Sequence, residues 1–304
     1  RLAGVAIRHS TCARSPSTWR FSGLALEGTS ERSGIGITNG GCDFFNRHPR
    51  SFQQIDRMTH PQPLHIAGAR ECNPGLFALL ARSRDADEAR AVFAHYMSLA
   101  FGLARPSDEA RAEASVERRR WRSSYLKLLQ GWGLDSNGPS GAVLKGWVES
   151  RFGLVPSFHG APLARFPSPA WVAYLEQKGA SRYHNNSIFQ QLDLLYEFCQ
   201  WMLARFALLG GGTHATLWRG STRCEEQIAA GSLRDRHCVV RLNNLVSFST
   251  TRDAAQCFGD WVLEAHLPQC KLLLVPGLLN TTSLHGEAEV LAIGGDCKVE
   301  ARYD

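Results

Sequence analysis

Two glutamates one residue apart, Glu287 and Glu289, stand directly before an apolar run in the stretch SLHGEAEVLAIGGD. Side chains at positions i and i+2 of a β-strand point to the same side, so an extended chain would project both carboxylates from one face and Ala288 from the other. Two close negative charges repel each other unless they face positive charge. The pair is therefore suited to a reaction in which cations approach or develop, although such a pair is more often a solvated strand edge.

Two earlier stretches of the same third of the chain also place polar side chains where apolar runs end. In TLWRGS the apolar run ends at Arg219 and Gly220. A strand-end arginine is usually a surface cation, but its planar fork can also bind phosphate oxygens through two hydrogen bonds. In VSFSTTRDAAQCFG the run ends in hydroxyl side chains, namely Ser247, Ser249, Thr250 and Thr251. Clusters of this kind commonly form turns, so each motif alone is ambiguous.

Taken together and in this order, the three motifs resemble those of the arginine-directed mono-ADP-ribosyltransferases. LWRG resembles the family's aromatic-Arg-Gly strand, and GEAE resembles its Glu-x-Glu motif. FSTT resembles its Ser-Thr-Ser motif, although Thr251 stands in place of the usual last serine. The resemblance implies a split, mainly antiparallel sheet with an NAD cleft between its layers.

The same resemblance assigns a role to each matching position. It implies that Arg219 binds the phosphates of NAD, with Gly220, Ser249 and Thr250 also in the nucleotide site. It implies that Glu289 is the catalytic carboxylate and that Ser249 positions it. Glu287 would then face the acceptor arginine.

Three longer stretches are similar to one branch of that family, the dinitrogenase reductase ADP-ribosyltransferases of nitrogen-fixing bacteria. They are FNRHPRSFQQIDRMTHPQPLHIAGARECNPGLFALL, DSNGPSGAVLKGWVESRFGL and YHNNSIFQQLDLLYEFCQ. The resemblance runs from about Phe45 to the C-terminus. It implies that NAD is consumed as a substrate without a metal, and that the acceptor is the iron protein of nitrogenase, whose modification switches nitrogen fixation off. A PII-type signalling protein is a further implied partner.

The residue types suit this chemistry on physical grounds as well. Cleavage of the nicotinamide–ribose bond passes through an oxocarbenium-like transition state, which a carboxylate such as Glu289 stabilises. Nicotinamide leaves as a neutral base, so the leaving group needs no strong general acid. The acceptor guanidinium is protonated, with a pKa above ~12, and is a poor nucleophile. A second carboxylate such as Glu287 can pair with it, orient it and help remove its proton.

Other functions remain open from the residues themselves. An ADP-ribosyltransferase or NAD glycohydrolase acting on another target would use the same three motifs. A glycoside hydrolase would need carboxyl groups at least ~5 Å apart on both sides of the scissile bond, which adjacent same-face glutamates fit poorly. A binding module could use the basic turn, Arg118 to Arg122, which is otherwise a solvated face or a docking surface. It would leave the three C-terminal motifs unexplained.

Asn186 is a further candidate for the nucleotide site. It belongs to YHNN, which precedes a predicted helix. An asparagine there can cap the helix, and a helix N-terminus can also help to bind phosphate. The sequence is compatible with Asn186 as a helix cap and with Asn186 as a nucleotide contact.

The elements that must position these residues change character along the chain. Helical spacing predicts helices from Pro74 onward, then from Ser107 to about Gln130, Ala142 to Arg151, Pro169 to Lys178 and Ser187 to Leu209. After Gly210-Gly211-Gly212 short β-like runs follow: 215–218, 238–242, 245–249, 261–266, 272–275, 289–293 and 298–301. Short helical pieces are expected at 224–230 and 254–258.

This order predicts an α+β protein, with a helical N-terminal half followed by a split, mainly antiparallel sheet. We expect a poorly matched loop region at 1–44, a helical region at 45–210 and a β-rich catalytic region at 211–304. The stretch GIGITNG near the start imitates a dinucleotide fingerprint, but it lacks the flanking strand and helix.

Composition restricts the class of protein without identifying it. The formal charge of +6 over 304 residues is too weak to argue for nucleic acid. The nine cysteines are scattered, without the spacing of a zinc site, which favours free thiols in a reducing cytoplasm. No apolar stretch has the length of a membrane span.

Overall fold

The computed structural model describes residues 64–103, 120–179, 183, 186–222, 227–280 and 288–303. In this part of the chain, helices come first and an antiparallel sheet follows, which confirms the predicted α+β class. Residues 1–44, Arg118, Arg119 and Glu287 lie outside the described residues. So does most of the long resembling stretch that starts at Phe45.

Among the described residues of the helical part there are six helices of eight or more residues. They are α1 (Pro74–Ala81), α2 (Ala86–Phe101), α3 (Tyr125–Leu134), α4 (Pro139–Phe152), α5 (Pro169–Lys178) and α6 (Ile188–Phe206). A two-residue ribbon, β1 (Phe158–His159) and β2 (Ala161–Pro162), separates α4 from α5. Caps fix several starts, because the side chains of Asp85 and Ser168 accept backbone N–H groups that have no partner inside the helix.

The helix predicted from Ser107 to about Gln130 is helical in most of its described part but is not continuous. Helical residues 120–122 end in a turn, and α3 starts afresh at Tyr125. Ser124 is the reason, since it is extended and its hydroxyl accepts the N–H of Lys127. A serine that caps a new helix breaks a pattern whose apolar spacing alone is continuous.

Helix α6 joins the helical part to the sheet. Nearly all of its first sixteen residues are buried, so its polar side chains need partners inside the protein. Tyr196 Oη donates to the carbonyl of Cys270 at 2.7 Å, and Gln200 Nε2 donates to the carbonyl of Leu272 at 2.8 Å. Apolar side chains from the helices and the strands form one continuous core around it.

Six strands form the sheet in the order β4-β5-β3-β6-β8-β7, and all of the described pairings are antiparallel. The strands are β3 (His214–Ser221), β4 (Ile228–Gly231), β5 (His237–Ser249), β6 (Trp261–Pro268), β7 (Leu272–Leu274) and β8 (Glu289–Tyr303). A short helix, α7 (Arg252–Gln256), follows β5. The change from helix to strand falls between Phe206 and His214, around the triple glycine.

Three details of the strand predictions are corrected. The runs 238–242 and 245–249 belong to one strand with an irregularity at Leu242–Leu245, and 289–293 and 298–301 also belong to one strand. Gly294 allows this continuity, because a Cβ there would lie 1.8 Å from the carbonyl oxygen of Asn243. The helix expected at 224–230 is wrong in its described part, where Ile228–Gly231 is strand.

The sheet is split where the chemistry-bearing motifs meet. Strand β3 pairs with β6 along its whole length, but with β5 only at Trp218 opposite Ser249. Strand β5 pairs instead with β8 over nearly its full length. Because β3 and β5 diverge beyond a single pair, a cleft opens between them. In the described part of the chain, no helix is both long enough and apolar enough to cross a bilayer.

Candidate active site

Arg219 is the third residue from the end of β3 and lines the cleft. Its Nη1 donates to the carbonyl of Ser247 at 2.7 Å, whereas its buried Nε has no hydrogen-bond partner among the described residues. Burial lowers the pKa of Arg219, but a guanidinium keeps its proton in proteins. No described carboxylate forms an ion pair with it. The cleft therefore holds a desolvated cation with unused donors, which suits an anionic ligand.

Gly220 follows Arg219 and allows α7 to pack against β3. A Cβ at this position would lie 2.1 Å from the carbonyl oxygen of Ala255. A side chain would push α7 away and change the width of the cleft. The glycine of the Trp-Arg-Gly stretch thus has a packing reason in addition to its place in the cleft wall.

Glu289 is the first residue of β8 and pairs with Ser249 of β5. Its Oε1 accepts the hydroxyl proton of Ser247 at 2.5 Å. The same hydroxyl oxygen accepts the indole N–H of Trp132, from α3, at 2.9 Å. A chain of two hydrogen bonds therefore connects the helical part of the molecule to this carboxylate.

The Ser-Thr-Thr stretch contacts the neighbourhood of Glu289 in a different way. Thr250 donates its backbone N–H to the carbonyl of Ala288 at 3.1 Å and so fixes the residue before Glu289. Ser249 Oγ accepts the N–H of Thr251 at 3.1 Å, which shapes the turn after β5. Thus the described hydroxyl that reaches Glu289 is that of Ser247, two residues before the serine expected from the motif.

Ala288 departs from strand geometry. Its φ is 49°, in the left-handed region, and β8 begins only at the next residue. The alternation that would place Glu287 and Glu289 on one face needs an extended residue between them, so that derivation is wrong. The acceptor role of Glu287 stays a prediction, since Glu287 lies outside the described residues.

The side chains of Arg219, Ser247 and Glu289 line one cleft of about 450 Å³. Arg219, Gly220, Ser249 and Glu289 are all in its wall, so the structure brings four of the predicted site residues together. The wall also contains residues that the sequence analysis did not place there: Trp132, Asp135, Ser136, Trp218, Ser247 and Phe258. Ser247 shares a strand face with Ser249, so strand alternation could have found it. Trp132 offered no local signal.

Asn186 does not line this cleft. Its Nδ2 donates to the carbonyl of Phe101 at 2.6 Å, and it ties the start of α6 to the end of α2. The interpretation of Asn186 as the helix cap is wrong, because Ser187 occupies the N-cap position. A contact between Asn186 and the nucleotide stays a prediction.

A second cavity, of about 380 Å³, lies on another part of the sheet. Its wall contains Glu264, Glu300 and Lys298, and no arginine among the described residues. Without an arginine, the described part of this wall lacks the planar fork that binds two phosphate oxygens at once. Within the described residues, no group of three His, Cys, Asp or Glu side chains could hold a metal ion.

Comparison with known proteins gives the site a context. A family model described as dinitrogenase reductase ADP-ribosyltransferase matches residues 45–301. NAD(+)–dinitrogen-reductase ADP-D-ribosyltransferase of Rhodospirillum rubrum is 50% identical over 240 residues, which cover 79% of this chain and 87% of that protein. No solved structure shows a significant match.

Proposed function

The chain belongs to the dinitrogenase reductase ADP-ribosyltransferase family, and we propose that it transfers ADP-ribose from NAD to an arginine of dinitrogenase reductase, with release of nicotinamide. One observation carries this function in the structure: Arg219 and Glu289 line the same cleft, with hydroxyl groups between them. The acceptor protein is inferred from the name of the relative that is 50% identical.

The cleft has the properties that NAD requires. Its volume of about 450 Å³ lies within the range of small-molecule sites. Arg219 has unused guanidinium donors and would bind the pyrophosphate, whose oxygens match a planar fork. Trp218 and Phe258 add aromatic surface to the same wall, against which the flat rings of a nucleotide can pack.

Glu289 would act at the ribose. The C1′–N bond of nicotinamide breaks with its electron pair going to the leaving nitrogen, and positive charge develops on the ribose. A fixed carboxylate beside that carbon stabilises the charge more in the transition state than in the substrate, which is what accelerates the step. The acceptor guanidine nitrogen then bonds to C1′ and its proton leaves, for which Glu287 is the proposed acceptor.

In the cell this transfer would switch nitrogen fixation off by modifying dinitrogenase reductase. A cytoplasmic location and a PII-type signalling partner both stay predictions.

Nicotinamide release tests the function directly. The purified protein is mixed with NAD, with or without dinitrogenase reductase, and mass spectrometry locates the modified side chain. We expect rapid nicotinamide release only with the acceptor present, and ADP-ribose on one arginine of it. Release without transfer would instead assign an NAD glycohydrolase, and transfer to other proteins at equal rates would assign another target. Absence of release under all of these conditions would overturn the enzymatic function.

A further inference from the structure

Ser247 connects two charged groups of the cleft wall, Arg219 and Glu289. Its backbone carbonyl accepts Arg219 Nη1 at 2.7 Å, and its hydroxyl donates to Glu289 Oε1 at 2.5 Å. The proposed function gives a task to each of the charged groups but none to the residue between them. Since the carbonyl belongs to the backbone, removal of the hydroxyl would affect Glu289 and spare the contact with Arg219.

The direction of this hydrogen-bond chain is fixed by chemistry. An indole N–H can only donate, so Trp132 must give its proton to the hydroxyl oxygen of Ser247. A serine hydroxyl has a single proton, and that proton is then directed toward Glu289, whose ionised carboxylate can only accept. Without the indole, the hydroxyl could rotate to other acceptors.

Trp132 is held firmly enough to serve as an anchor. Only 6% of its surface is exposed, and it lies in the last turn of α3. Lys145 Nζ lies 5.9 Å from the centre of its ring, within the range of a cation–π contact. Lys145 is itself fixed, because it donates to the carbonyl of Phe158 at 3.0 Å and lies 3.3 Å from His159 Nδ1.

We infer that Trp132 is a positioning residue for the catalytic Glu289, which it orients through the hydroxyl of Ser247. This inference rests on the proposed function. It extends the site from the strands, where the three motifs lie, to the helical part of the molecule. The ring of Trp132 is part of the cleft wall, but its N–H is bonded to Ser247, so loss of the N–H alone should affect turnover more than NAD binding.

The test compares Trp132→Phe, Ser247→Ala and the double variant in nicotinamide release. We expect kcat to fall about 3- to 10-fold for Trp132→Phe, as for loss of one neutral hydrogen bond, and about 10- to 100-fold for Ser247→Ala, as for one to a charged group. The KM for NAD should change less than about twofold in both. Because both residues act in one chain, the double variant should be no slower than Ser247→Ala. Ser247→Thr, which keeps a hydroxyl, should recover most of kcat.

Trp147→Phe is the matched control. Trp147 is also a buried tryptophan whose Nε1 donates to a side chain, Asp193 Oδ1 at 2.8 Å, but it does not line the cleft. If Trp132→Phe folds poorly, benzothienylalanine at position 132 keeps the ring shape and removes only the N–H. Equal kcat values for the Trp132 and Trp147 variants, or additive losses in the double variant, would overturn the positioning role. A wild-type protein that releases no nicotinamide would instead overturn the proposed function itself.

Discussion

Glu197 in the helical part and Glu289 in the cleft are both carboxylates, but they differ in burial and in the number of their hydrogen-bond partners. Glu197 is fully buried and accepts the backbone N–H of Ile66 at 2.6 Å and Arg70 Nε at 2.5 Å, with His65 Nδ1 at 3.0 Å. Glu289 is only partly buried, and among the described residues one hydroxyl donates to its side chain. The first carboxylate is saturated by its own chain, whereas the second keeps acceptor capacity for a ligand.

The arginines of the two regions also differ in their hydrogen-bond partners. Arg151 makes two hydrogen bonds to Asp193, at 2.7 and 2.8 Å, and so joins α4 to α6. Arg219 has a buried Nε without a described partner. A buried polar group without a partner costs stability, and such costs are tolerated where a ligand supplies the missing partner. In these two pairs, the groups with full sets of partners lie in the helical part and the groups with free capacity line the cleft.

The sharpest test removes the negative charge of each carboxylate and keeps the shape of its side chain. Glu289→Gln should lower the kcat of nicotinamide release by about 10²–10³, with little change in urea stability, because it removes charge from the transition state but few contacts of the fold. Glu197→Gln should do the opposite: turnover per folded molecule is kept, and the free energy of unfolding falls by about 2–3 kcal/mol as hydrogen bonds to a charged group weaken. If both substitutions cost stability equally and neither affects turnover, the distinction between the two regions is wrong.

Glu287 extends the comparison to the acceptor side. Glu287→Gln should slow transfer to dinitrogenase reductase by about 10², since it removes the proposed proton acceptor, and should spare slow hydrolysis of NAD. Water needs no carboxylate that binds a guanidinium. The ratio of hydrolysis to transfer, measured beside Glu289→Gln, decides the matter. A parallel loss of both activities in both variants would assign them a single shared role.

The two arginines give the next largest contrast. Arg219→Ala should weaken NAD binding in calorimetry by about 10- to 100-fold, as expected for hydrogen bonds to a charged phosphate. Arg219→Lys should recover little, because an ammonium lacks the planar fork. Arg151→Ala is the control, with unchanged NAD affinity and a loss of stability of about 1–3 kcal/mol. An unchanged NAD affinity in folded Arg219→Ala would remove Arg219 from the site.

A third class of charge lies on the surface. Arg120 and Arg122 of the basic turn are exposed, and we expect this turn to steer an acidic partner. Transfer to dinitrogenase reductase should then slow several-fold as salt rises, because exposed charges are screened over about 8–10 Å near physiological ionic strength. Transfer to a small guanidino acceptor such as agmatine should respond much less. Equal salt dependence with both acceptors would leave the turn a solvated face.

The smallest expected effect concerns backbone strain beside Glu289. Ala288 has a φ of 49°, which glycine adopts without a steric penalty. Ala288→Gly should therefore change the free energy of unfolding by no more than about 1 kcal/mol and in the stabilising direction, since relief of strain is partly offset by a more flexible unfolded chain. Ala292→Gly, within β8, is the control and should destabilise by about 0.5–1 kcal/mol or more. Equal losses in both would show that Ala288 is unstrained.

Much of the fold was predictable because it depends on local sequence patterns. The 3.6-residue period located α5 at Pro169–Lys178 to the residue, and short apolar runs located most of the strands. Local signals failed where two of them competed. Ser124 ended a helical pattern that apolar spacing would have continued, and Gly294 let two predicted runs join in one strand.

Sequence alone also selected Arg219, Ser249 and Glu289, because their three motifs occur together in the order found in a known family. It could not decide which hydroxyl reaches Glu289, nor that the indole N–H of Trp132 donates to that hydroxyl of Ser247 across 115 positions of sequence. Those contacts depend on how β5 registers with β8 and how α3 packs over them. The period of a strand or helix is set by neighbouring residues, whereas register and packing are set by the whole core, and only the tertiary structure decides them.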